Sequence, residues 1–135
     1  MPGLGELPVL VEEYRRTGLR VRLAQDDPPS HEESSPPTSV GLTVYRLVQQ
    51  SLANALEHAG PVAVTVHLTR SSGLIVVTVT NPVGSEPREP GERDGGHGLI
   101  GMRERIALHG GTLEVGMDET TGLWRVRASV PWEET

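Results

Sequence analysis

Apolar and polar positions alternate along this chain with two distinct periods, and the change from one to the other marks its elements. Leu4, Leu7, Leu10, Val11 and Tyr14 recur at helical spacing and Gly18 follows as a stop, which predicts a first helix over 4–17. LRVRLA, residues 19–24, then alternates like a strand with one buried face. Residues 25–37 are polar, acidic and rich in proline and serine, which predicts a loop. From Ser39 to Ala59 the set Val40, Val44, Leu47, Val48, Leu52, Ala55, Leu56 and Ala59 forms one broad helical stripe, with Thr38 or Ser39 as the expected cap and Gly60-Pro61 as the stop.

VAVTVHLT (62–69) and LIVVTVT (74–80) read as a hairpin across Arg70 to Gly73. Residues 81–96 carry prolines, glycines and charges of both signs, too broken for a core, and are expected to form a loop that opens and closes. A helix over 99–109 follows, stopped by Gly110-Gly111. TLEVGM (112–117) and LWRVRASV (123–130) make a last hairpin around 118–122. Two or three helices against about five mostly antiparallel strands predict an α/β two-layer sandwich.

Length and charge narrow the function classes. A chain of 135 residues is expected to be one domain, residues 1–135, with a core of its own. No apolar run approaches the roughly 18 residues of a membrane span, so a soluble, cytoplasmic domain without direct membrane contact is expected. The net charge of -6 argues against a general grip on nucleic acid. With no cysteine, disulfides and thiolate metal sites are excluded. The chain has no lysine, so a bound phosphate would be met by arginine, backbone N–H groups or a metal.

Two stretches carry candidate chemistry. GGHGLIGMRERIALHGG (95–111) runs from glycines straight into a helix, whose first turn holds unpaired N–H groups and partial positive charge. Glycines let a bulky anion approach the backbone there, so Gly98, Leu99, Ile100 and Gly101 read as a phosphate cradle, although a plain connection has the same pattern. In the long helix, Gln50, Asn54 and His58 are spaced i, i+4, i+8 and drift by only about 40° per step, a polar row along the edge of the apolar stripe. Such a row lines a cleft or simply meets solvent. An asparagine carbonyl is a suitable Mg²⁺ ligand beside substrate phosphates.

RLVQQSLANALEHA (46–59) resembles the N box of the GHKL ATPases, and GGHGLIGMRERIALHGGTLEV (95–115) resembles their G2 box and its continuation. The form HGLIGMRERIALHGG, like the opening GLGELPVLVEEYRRTGLRVRL, is similar to the NarL/DesK-type branch of sensor histidine kinases. The resemblance covers nearly the whole chain and implies the Bergerat fold, with ATP held between helices and a mixed sheet under a lid. It implies that Asn54 holds Mg²⁺ on the triphosphate, that Gly96, Gly98 and Gly101 underlie the phosphates with His97 and Leu99 among them, and that residues 81–95 form the lid. His58 would lie near the sugar and phosphates or else cap its helix. Arg103 and Arg105 are expected to face outward.

Two positions depart from the pattern. Where the family's N box has glutamate, this chain has Gln50, and an amide accepts no proton at neutral pH. Where the G1 box begins with the aspartate that accepts the adenine amino group, this chain has Asn81, followed by Pro82, Val83 and Gly84. Asparagine keeps a carbonyl acceptor without the charge.

The resemblance implies ATP and Mg²⁺ as cofactors, a histidine-bearing dimerisation domain as the phosphoryl acceptor, a response regulator after it, and a homodimeric full-length kinase. The acceptor histidine would precede this segment, so the isolated domain is expected not to complete autophosphorylation. A degenerate nucleotide-binding or protein-interaction module without transfer is the alternative that Gln50 and Asn81 suggest. An anti-sigma-factor serine kinase is a third, which the GMRERI continuation disfavours.

Overall fold

The sheet is built by strict alternation. In β2 (Ala63–Ser71) Val64, Val66 and Leu68 are buried, and in β3 (Leu74–Pro82) Ile75, Val77, Val79 and Asn81 are. In β5 (Leu123–Pro131) the buried set is Trp124, Val126, Ala128 and Val130. Because side chains along a strand alternate between faces, these residues form one continuous inner surface. The register confirms it: Val79 lies between Val66 and Val126, and Val77 between Leu68 and Ala128. The computed structural model describes residues 2–26, 36–71, 73–83 and 96–132.

The five strands run in the order β1-β2-β3-β5-β4, with β1 at Arg20–Asp26 and β4 at Thr112–Asp118. All neighbours are antiparallel except β1 and β2, which are parallel and joined through the long helix α2 (Thr38–Ala59). A parallel pair requires such a crossover. The helices α1 (Leu7–Arg15), α2 and α3 (Gly96–Leu108) contribute Leu7, Leu10, Val11, Val40, Val44, Leu47, Val48, Leu52, Leu99, Met102 and Ile106 to one core cluster with the strands. The architecture is the two-layer α/β sandwich expected from the alternation.

Several boundaries differ from the sequence reading, each for a local reason. The first element is a 3-10 turn at Leu4–Glu6 leading into α1, with Pro8 in the first turn of that helix, where a missing N–H costs nothing. Gln25 and Asp26 continue β1 because their backbones pair with Leu68 and Thr69, so the expected loop begins later; residues 27–35, including His31, lie outside the described residues. Neither Thr38 nor Ser39 caps α2. Pro37 occupies the cap position without a side-chain hydrogen bond, and its carbonyl accepts from the N–H groups of Val40 and Gly41.

Asn81 and Pro82 extend β3 rather than opening a loop, because they pair with Trp124 and Leu123. The remainder of the expected lid, residues 84–95, lies outside the described residues. The helix α3 begins at Gly96, so the backbones of Gly96, His97 and Gly98 form its first turn instead of a loop before it. At its far end, Gly111 must be glycine for a packing reason: a Cβ there would collide with the Ser129 carbonyl oxygen and come within 2.9 Å of Ile106 Cγ2. That closeness ties the end of α3 to the last strand.

Candidate functional site

The helix α2 lays residues three and four apart on its sheet-facing side, the spacing at which helical neighbours share a face. Ser51, Asn54 and Ala55 occupy that side beyond the wide aliphatic stretch, where they meet the end of the inner sheet surface. Asn81 is the last buried residue of β3 and is paired across the sheet with Trp124. Ser51, Asn54, Ala55, Asn81, Trp124 and Val126 together line a small, nearly closed cleft whose cavity is about 10 Å³, the room of about one water. Polar groups are concentrated here: Ser51 is 4% exposed, Asn54 9% and Asn81 3%, three of the four buried polar residues among those described.

The side chains are not equally committed. Asn81 Nδ2 donates to the carbonyl oxygen of Pro82 at 2.7 Å. A carbonyl only accepts, so this bond fixes which way the amide is turned and leaves Oδ1 as the acceptor of the side chain. Gln50 Nε2 donates to Asn54 Oδ1 at 3.3 Å, one turn along α2. That bond helps to hold the orientation of the Asn54 amide. A glutamate at 50, ionised, would be unable to make that donation.

Gln50 and Asn54 are therefore brought together, and Asn54 and Asn81 share one cleft. His58 is half-buried in the last turn of α2 and does not line it. In α3, Leu99 is buried in the core while Gly101 is exposed, with nothing within 4 Å of the position a Cβ would take. Nothing in the packing among the described residues thus requires glycine at 101, although glycine in a helix interior is destabilising by roughly 0.5–1 kcal/mol against alanine. Arg103 and Arg105 are exposed, as expected. Ser51, Trp124 and Val126 escaped the sequence reading. For Ser51 a signal existed: it is the polar intruder in a stripe whose neighbours are Leu47, Val48, Leu52 and Ala55.

No family model matches the chain. Among curated proteins it is similar to the sensor histidine kinase YxjM of Bacillus subtilis, 33% identical over 132 residues that span 97% of this chain and 30% of that protein. It is also similar to the signal transduction histidine-protein kinase/phosphatase UhpB of Salmonella typhimurium, at 32% over 100 residues, 74% of this chain and 19% of that protein. The chain thus spans under a third of the length of these relatives.

Among solved structures, the blue-light activated histidine kinase of Erythrobacter litoralis EL346 matches with a TM-score of 0.69 at 23% identity, over 97% of this chain and 45% of its own. The catalytic domain of the histidine kinase ThkA matches with a TM-score of 0.64 at 17% identity, over 93% of this chain and 92% of that domain. At these identities the structures speak for the fold alone. With YxjM, named as a sensor histidine kinase, matched along almost its whole length, and with the fold of solved histidine kinase chains, the chain belongs to the sensor histidine kinase family.

Proposed function

We propose that this chain binds ATP with Mg²⁺ in the cleft between α2 and the Asn81 end of the sheet, and presents the γ-phosphate to a histidine on a separate dimerisation domain. The carrying observation is the convergence of Asn54 from α2 and Asn81 from β3 on one buried, polar cleft. Asn81 Oδ1, oriented by the bond to Pro82, is an acceptor suited to the exocyclic amino group of adenine. Asn54 Oδ1 is the kind of neutral oxygen that Mg²⁺ takes alongside phosphate oxygens and water. Bound there, the ion would neutralise charge on the triphosphate, while the residues of this chain orient it.

The placement of α3 supports the other half of the grip. His109 Nε2 lies 3.5 Å from Thr43 Oγ1, which puts the end of α3 beside the early turns of α2. Counting back from that contact at about 1.5 Å per residue, Leu99 is about 15 Å away along α3 and Asn54 about 16 Å away along α2. On this reading α3 runs back along α2 from this anchor, which would bring its first turn, with its unpaired N–H groups, level with Asn54, where phosphate oxygens would be met. Gly101, whose Cβ position opens onto free space, fits a backbone kept bare for a ligand.

Gln50 bears on rate more than on binding. Phosphoryl transfer depends chiefly on positioning and charge neutralisation, so an amide in place of a general base slows the reaction without removing it. In the whole kinase, a homodimer on this reading, the phosphoryl group would pass from histidine to the aspartate of a response regulator in the cytoplasm. No helix among the described residues is long and apolar enough to cross a membrane.

Titration of the wild type and Asn54→Ala with a non-hydrolysable ATP analogue, with and without Mg²⁺, tests the site. The wild type binds more tightly with the ion. The variant loses about ten- to a hundredfold in affinity, the scale of a hydrogen bond or ligand to a charged group, and the loss disappears without Mg²⁺. Equal binding by both proteins removes Asn54 from this role. Adding a purified dimerisation domain and labelled ATP separates a working kinase from a regulatory module, which leaves the acceptor histidine unlabelled.

A further inference from the structure

Ser51 lines the wall of the cleft. It is 4% exposed, and its Oγ has no hydrogen-bond partner among the described residues. A serine or threonine inside a helix commonly returns its hydroxyl to the carbonyl four residues earlier. Thr43, in the same helix, does so to the Ser39 oxygen at 2.9 Å. Ser51 does not. An unsatisfied buried hydroxyl destabilises a fold, and alanine would occupy the position without that cost. The hydroxyl thus works against the free protein at a point where it faces the same small space as Asn54 and Asn81.

The chemistry of the two polar walls is complementary to one purine. Asn81 contributes an acceptor, because the bond from its Nδ2 to Pro82 orients the amide and sets Oδ1 on its other side. Ser51 contributes an O–H without a partner among the described residues. Adenine presents an amino donor next to a ring-nitrogen acceptor; guanine presents a carbonyl acceptor next to a ring N–H, the reverse order. We propose that Ser51 Oγ–H donates to the adenine ring nitrogen adjoining the amino group that Asn81 Oδ1 accepts, directly or through one water, and so makes Ser51 a specificity-determining residue for adenine over guanine. The proposal rests on the nucleotide reading of this cleft. A site with a donor and an acceptor in this order rejects the wrong base by leaving buried groups unpaired.

The test compares the wild-type chain with Ser51→Ala, using ATP, GTP and 1-deaza-ATP, in which the ring nitrogen is replaced by C–H. Ser51→Ala weakens ATP binding about five- to tenfold, the scale of one hydrogen bond, and leaves 1-deaza-ATP within about twofold of the wild type. The preference for ATP over GTP narrows by a similar factor. Without nucleotide the variant melts at the same temperature as the wild type or higher, which separates a recognition effect from a folding defect. Unchanged ATP affinity in Ser51→Ala overturns the proposal while leaving ATP binding in place, as does an equal loss for ATP and its deaza analogue. Failure of the wild type to bind ATP at all overturns the nucleotide reading and the Ser51 assignment with it.

Discussion

At the scale of single residues, Asn81 separates this chain from the pattern it otherwise resembles, and its surroundings explain why the two amino acids are not interchangeable here. The amide donates 2.7 Å to the Pro82 carbonyl from a position that is 3% exposed. Aspartate in its place would turn a carboxylate towards that carbonyl with no proton to give. Asn81→Asp is therefore expected to destabilise the free domain by about 1–3 kcal/mol at neutral pH, the penalty of a buried polar group left unsatisfied. The loss shrinks in acid, where the protonated carboxyl can donate again; chemical denaturation at two pH values measures both effects. A variant as stable as the wild type at neutral pH would show that the bond to Pro82 contributes nothing.

Residue identity was legible where a motif spells it out and illegible where only contact reveals it. Asn54 stood out by its place in the N-box stretch and Asn81 by its place after a strand. Ser51 did not stand out, because the chain alone does not tell whether a serine in an apolar stripe turns its hydroxyl back to the backbone or leaves it exposed to a cavity. Trp124 and Val126 read as ordinary core residues of a strand, which they also are.

Among the elements, α3 shows most clearly how burial divides a helix into two sides. Leu99, Met102 and Ile106 anchor one side in the core, at the three- and four-residue spacing of a buried stripe. Gly101 lies on the exposed side, with open space around it. Gly101→Ala is expected to raise the stability of the free domain by roughly 0.5–1 kcal/mol, through helix propensity alone. It should weaken ATP binding at the same time, since a methyl group would stand where the phosphates approach. Thermal melts with and without nucleotide check both; a stabilised variant with full ATP affinity would take Gly101 out of the site. The periodicity placed this helix and its core-facing side, yet missed its first turn: glycines score as loop formers in isolation, and only the fold around them holds Gly96 to Gly98 helical. The ends of β1 and β3 were missed for a related reason, since pairing with a neighbouring strand outweighs the weak strand preference of Gln25, Asp26, Asn81 and Pro82.

For the molecule as a whole, alternation and helical stripes were enough to predict a two-layer sandwich, because each element shows one apolar side and burying all of them together admits few arrangements. The two hairpins were legible, but the order of the sheet beyond them was not. Nothing in the composition of β1 distinguishes a parallel neighbour of β2 from an antiparallel one; the length of the intervening helix permits the first, and the register shows it.

That edge strand has a consequence for the order of assembly. The pairs β2–β3 and β5–β4 are joined by tight turns and close early, whereas β1 meets β2 only after the whole of α2 has folded across, and contacts between distant segments form late. A strand that joins last and has one neighbour is also the first to detach. Amide hydrogen exchange in the native protein should therefore show Arg20–Asp26 opening at a smaller free energy than β3 and β5, and added ATP with Mg²⁺ should slow exchange in α2 and β3 while leaving β1 nearly as fast as before. Uniform slowing across the sheet would mean that all five strands open as one unit. If β1 does open separately, its fraying leaves the proposed nucleotide cleft intact, since that cleft is walled by α2, β3 and β5, and the outer strand is free to yield to mechanical or thermal stress while the cleft keeps its shape.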